Sequence, residues 1–206
     1  MRILGSNKGA IEVLILANAL AFIITLINQK WVFMNFALQP ATVFVKPWTI
    51  VTNMFLHAGL GHIAFNMIAL FFFGIYLEQL VGEERFLKIY LWGGVFASIA
   101  YVFTSIFFGL PSPTVFAVGA SGAVFAIMGA LVVLRPNMTI LYNFFIPMPL
   151  WVWAIIYTII AVPEMLYPVG SIAHNAHLGG MLAGYYFGKR IQAEGTGGGG
   201  YGYRFY

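Results

Sequence analysis

The residues in this sequence that could do chemistry are few and unevenly placed. They are His57, His62 and Asn66 in one stretch, Ser121 within Gly119-Ala120-Ser121-Gly122-Ala123, and His174 with His177 in another. A serine hydroxyl becomes a nucleophile when an imidazole takes its proton, so Ser121 and one histidine are enough for acyl transfer. What is missing narrows the field further. There is no aspartate: the acids are Glu12, Glu78, Glu83, Glu84, Glu164 and Glu194. A pair of aspartyl carboxylates and a literal Ser-His-Asp triad are both excluded. With no cysteine there is no thiolate nucleophile, disulfide or Cys-based metal site. No H-E-x-x-H occurs, and the four histidines lack a paired carboxylate, so no metal and no cofactor is expected.

The elements that must position these residues are apolar. Of the 206 residues 61% are hydrophobic and 8% charged, and the mean hydropathy is +0.89, a composition that needs lipid as its solvent. Apolar runs between glycine and proline breakers predict an all-α, polytopic membrane protein. Its six transmembrane helices cover about 10–27, 61–80, 85–108, 121–134, 149–166 and 172–190. Pro163 and Pro168 are expected to end the fifth. One membrane domain, 1–190, is followed by a Gly-rich tail, 191–206, expected to be disordered. The stretch Met1–Asn18 lacks an A-x-A-like cleavage site and reads as part of a retained first span. With the N-terminus inside, the inner segments carry Arg2, Lys8, Arg85, Lys88, Arg135, Lys189, Arg190 and Arg204. The outer ones carry only Lys30 and Lys46. Positive charge marks the cytoplasmic side, so both termini are expected there, in a cell membrane. Basic residues scattered singly between spans do not form a nucleic-acid footprint.

Under this topology the second, fourth and sixth helices start on the same side, so all four histidines share one layer with Ser121. Polar groups are costly at that depth, and their convergence points to function. Ser121 alone could be a small packing residue. However, the fourth helix rises only about 21 Å at 1.5 Å per residue, against a hydrocarbon core of ~30 Å. The irregular stretch Gly109–Ala120 should therefore dip into the membrane beside a cavity. Ser121 then opens a helix whose positive end suits an oxyanion. Gly180 and Gly184 share a face with His177 and would let the last helix press onto Gly122, Ala126 and Gly129. That contact brings His177 to Ser121, with Phe125 one turn below to stack on the ring. His62 and Asn66, four apart, would aim two donors into the cavity; the bland alternative is a structural hydrogen-bonded pair. His174 is the rival base. No glutamate is expected in the outer layer, so serine and histidine would work without a carboxylate.

These residues resemble the rhomboid family over about Trp48 to Lys189. The family's G-x-S-G stands as Gly119-Ala120-Ser121-Gly122, its H-x-x-x-x-H-x-x-x-N as His57, His62 and Asn66, and its H-x-x-G-x-x-x-G as His177, Gly180 and Gly184. The resemblance implies a six-helix bundle, in the compact form found in prokaryotes. It implies a Ser-His dyad that cleaves transmembrane segments of other proteins, and an oxyanion bound by His62, Asn66 and the Ser121 N–H. It also implies a structural carboxylate at Glu78 and a membrane-edge loop over 28–52. Two departures stand out: Trp31 and Trp48 lack the arginine that often follows, and Phe125 stands where a tyrosine is common. The partners expected are transmembrane substrates and the bilayer. Two other functions compete, a catalytically silent chaperone or adaptor and a small-solute transporter; no internal repeat supports the second.

Overall fold

The computed structural model describes residues 9–142, 145–167 and 172–197. Helix α1 (Ala10–Ile27) leads into a short α2 (Gln29–Phe36) and a single turn, α3 (Thr49–Thr52). Four further helices follow: α4 (Leu60–Val81), α5 (Glu83–Phe108), α6 (Ser121–Leu134) and, after an antiparallel hairpin, α7 (Leu150–Leu166). The hairpin pairs β1 (Thr139–Tyr142) with β2 (Ile146–Pro149) in the register Ile140↔Met148, and α8 (His174–Gly197) closes the bundle. Each of the six segments expected to be helical is helical. α1, α4 and α5 are long and apolar enough to cross a membrane, while α6 and α7 are shorter apolar helices.

α7 ends at Leu166, the expected end of the fifth helix; Pro163 sits inside it rather than ending it, and Pro168 lies outside the described residues. α8 passes the expected domain edge at 190 and runs to Gly197. Beyond that edge Glu194 pairs with Arg85 of α5 at 3.2 Å. The tail from 198 onward, with Arg204, lies outside the described residues, as do Arg2 and Lys8. The 28–52 connection contains two helices the sequence did not announce. It is tied to itself where Trp48 Nε1 donates to the Asn35 carbonyl (2.8 Å) and Lys46 Nζ to that of Met34 (2.6 Å).

The centre of the bundle is α6. It is apolar all round, and a helix of that kind must be enclosed; Gly122–Val124 and Ala126–Leu131 are all buried. Small residues let the neighbours in. Gly93 of α5 faces Ala126, and Gly122 faces Ala97, where any Cβ would collide. α8 approaches still closer: a Cβ on Gly180 would strike the Gly122 carbonyl, and one on Gly184 the Ala126 carbonyl. Gly129 of α6 returns the contact against the backbone of Met181. The outer surfaces carry large apolar side chains instead, such as Ile23, Phe72, Phe107 and Ile159. That inversion of the soluble pattern suits a lipid surround.

Candidate active site

Ser121 begins α6, and the chain before it is held by several attachments. The strand-like contact between Leu38 and Ala117 exchanges two backbone hydrogen bonds (3.1 and 2.7 Å). Gly119 N–H donates to the Asn53 carbonyl (2.9 Å), and Asn175 Nδ2 donates to the Leu110 carbonyl (3.2 Å). This irregular run lines a cavity of ≈ 550 Å³, whose walls include His62, Asn66, Ser121, Glu164, His174 and His177. Gly119 has φ +130°, a conformation that suits glycine, and a Cβ there would lie 2.8 Å from His62 Nε2. The tight turn therefore delivers Ser121 and His62 to the same wall.

The packing of α8 on α6 sets the main contact. His177 Nε2 lies 2.8 Å from Ser121 Oγ. The Phe125 ring is parallel to the imidazole, with centroids 4.3 Å apart and an interplanar angle of 8°. His174, the rival base, is turned instead toward α7.

Two polar side chains of α4, His62 and Asn66, line the same cavity as Ser121. His62 Nδ1 accepts the Ala58 N–H (3.3 Å), which leaves the proton on Nε2, the nitrogen near Gly119. Asn66 Nδ2 donates one hydrogen to the His62 carbonyl (2.8 Å) and keeps a second. His57 packs edge-on against the His62 ring, with centroids 5.0 Å apart, but plays a different part. It lies before α4, fully buried, and its Nε2 accepts the Ala120 N–H at 3.4 Å. It therefore supports the turn rather than lining the cavity.

The expectation that no glutamate shares this layer is overturned. Glu164 Oε2 lies 2.6 Å from His174 Nε2. Tyr157 Oη lies 3.1 Å from His174 Nδ1 and 2.9 Å from His177 Nδ1. Tyr157 comes from the middle of α7 and Glu164 from its last turn. The signal was available: α7 runs opposite to α6, so its C-terminal turns reach the level of Ser121. At the other end of the bundle, the Glu78 carboxylate meets the backbone of Ala10 at the start of α1. Among the described residues no three His or acidic side chains converge to hold a metal ion.

Comparison with known proteins adds an independent finding. The family model described as Rhomboid domain matches residues 45–193. RHOMBOID-like protein 12, mitochondrial, of Arabidopsis thaliana is 31% identical over 188 residues, covering 85% of this chain and 56% of that protein. Rhomboid protease GluP of Bacillus subtilis is 33% identical over 157 residues, 70% of this chain and 28% of that protein. Inactive RHOMBOID-like protein 8 of Arabidopsis thaliana is 32% identical over 137 residues, 66% of this chain and 36% of that protein. The chain thus spans between about a quarter and somewhat over half the length of these relatives.

Proposed function

This chain belongs to the rhomboid family, and from that membership and the geometry of its cavity we propose that it is an intramembrane serine endopeptidase. Its substrates are transmembrane segments of other membrane proteins. The observation that carries this reading is the 2.8 Å contact between His177 Nε2 and Ser121 Oγ. Hydrogen-bond reach between nucleophile and base is the first requirement of such chemistry.

Ser121 Oγ attacks the substrate carbonyl carbon while its proton passes to His177 Nε2. The resulting oxyanion is held by His62 Nε2–H, the free hydrogen of Asn66 Nδ2 and the Ser121 N–H at the head of α6. Collapse breaks the C–N bond, and His177 returns the proton to the leaving amine. Water, deprotonated by the same imidazole, then releases the acyl group. Phe125 holds the ring in plane through these steps. Gly119, Gly122, Gly180 and Gly184 are the small residues that allow the approach.

In the bilayer α1, α4, α5, α6, α7 and α8 span, in that reading, with both termini on the cytoplasmic side of a cell membrane. A second reading, a catalytically silent member, is favoured by the relative whose name begins with "Inactive". One experiment separates them. A fluorophosphonate probe should label the wild type, and Ser121→Ala should abolish both labelling and cleavage of a model transmembrane substrate. Loss of a nucleophile typically costs several orders of magnitude. An unlabelled wild type that cleaves nothing would favour the silent reading.

A further inference from the structure

The contacts on the far side of His177 form an unbroken chain. It runs from Ser121 Oγ to His177 Nε2 (2.8 Å), and from His177 Nδ1 to Tyr157 Oη (2.9 Å). It continues from Tyr157 Oη to His174 Nδ1 (3.1 Å) and from His174 Nε2 to Glu164 Oε2 (2.6 Å). Proton counting gives this chain a direction. An ionised carboxylate only accepts, so the His174 nitrogen facing Glu164 carries hydrogen. His174 Nδ1 is then a lone pair and takes the single hydroxyl proton of Tyr157. The Tyr157 oxygen, having donated, accepts from His177, which puts hydrogen on His177 Nδ1. His177 Nε2 is left as a bare lone pair facing Ser121.

From this geometry we infer that Glu164, His174 and Tyr157 are positioning residues that hold His177 in the tautomer able to deprotonate Ser121. The inference rests on the proposed serine–histidine chemistry and adds what orients its base. Tyr157 Oη touches two imidazole nitrogens but has one proton to give; the carboxylate two bonds away decides which receives it. Without Glu164, Tyr157 is free to donate to His177 Nδ1 instead, and the His177 proton then sits on Nε2, pointing at Ser121. That form cannot act as base. When His177 gains the serine proton, the same chain connects its positive charge to a carboxylate. The Glu164 side chain is 35% exposed at the cavity, while that of His174 is 8% exposed. Tyr157 is fixed independently by its ring, whose centroid lies 4.6 Å from that of Phe125 and 5.3 Å from that of Trp153.

The test uses the full chain in detergent or nanodiscs. Glu164→Gln keeps the volume but replaces an acceptor-only carboxylate by an amide that can equally donate to His174, so the direction of the chain is no longer fixed; Tyr157→Phe keeps the ring but not the hydroxyl. Each should lower the fluorophosphonate labelling rate and kcat by roughly ten- to a hundredfold, less than removal of a general base outright. KM for a transmembrane substrate should stay within about twofold, since binding that is uniform between ground and transition states is untouched. In 15N spectra of the histidine rings, His177 should carry its proton on Nδ1 in the wild type and shift toward Nε2 in both variants. Wild-type labelling and kcat in both variants would overturn the inference, and so would a wild-type His177 protonated on Nε2. The proposed protease activity stands or falls separately, on whether the wild type is labelled at Ser121. If it is not, the 15N tautomer still decides on the positioning chain.

Discussion

At the scale of single residues, the site divides into groups that exchange protons and groups that bind charge. His177→Ala should suppress cleavage and labelling together, because His177 is the imidazole hydrogen-bonded to Ser121, while His174 is turned to α7 and His62 serves as a donor. His62→Ala and Asn66→Ala remove donors and leave nucleophile and base intact. Each should lower turnover by roughly 10- to 1000-fold, the range for one lost oxyanion donor. The double variant should fall short of the product of the two losses, since the Ser121 N–H continues to donate. His57→Ala should act differently. Its imidazole supports the Ala120 N–H from a fully buried position. Thermal stability should drop, and specific activity of the folded fraction should fall less than in Asn66→Ala. A rate-essential His57 beside a dispensable Asn66 would reverse these assignments.

At the scale of elements, the seam between α6 and α8 is where substitution is most informative. Gly184→Ala puts a methyl group against the Ala126 carbonyl, a backbone atom that cannot rotate away. Overpacking of this kind typically costs about 1–3 kcal/mol. The variant should show both a lower unfolding temperature and slower labelling, as His177 is pushed from Ser121. Gly61→Ala, on α4 with nothing within 4 Å of the added methyl, is the matching control and should change neither. This seam was readable from sequence because Gly180 and Gly184 follow His177 at i+3 and i+7. The six helical segments were readable for a similar reason, the punctuation of apolar runs by Gly and Pro. Other features left no periodic trace. α2 and the β1–β2 hairpin are too short to show one, and nothing in the pattern around Glu164 marks it as part of the outer layer. Its partner, His174, is ten residues away in sequence, and only packing brings the two together. Tyr157 was hidden in an aromatic-rich helix, where one ring looks like the next.

At the scale of the whole molecule, orientation can be checked without reference to chemistry. The chain has no cysteine, so Val115→Cys and Glu83→Cys each introduce a single thiol at an exposed position. Impermeant reagent should reach them from opposite faces of sealed vesicles; labelling from one face alone would undo the shared-depth argument for Ser121, His62 and His177. The glycine seam has a further consequence at this scale. Lipid bilayers differ in thickness, and a bundle answers mismatch by tilting its helices at a cost of fractions of a kcal/mol per ångström. α6 is sheathed by its neighbours and locked backbone to backbone with α8, so those two helices tilt as one rod. α1 and α7 meet the rest through larger and fewer side chains and are the parts free to lean. Thinner or thicker membranes should therefore change how readily a substrate helix slips between the walls, seen in KM, while the labelling rate of Ser121 by a small probe stays nearly constant.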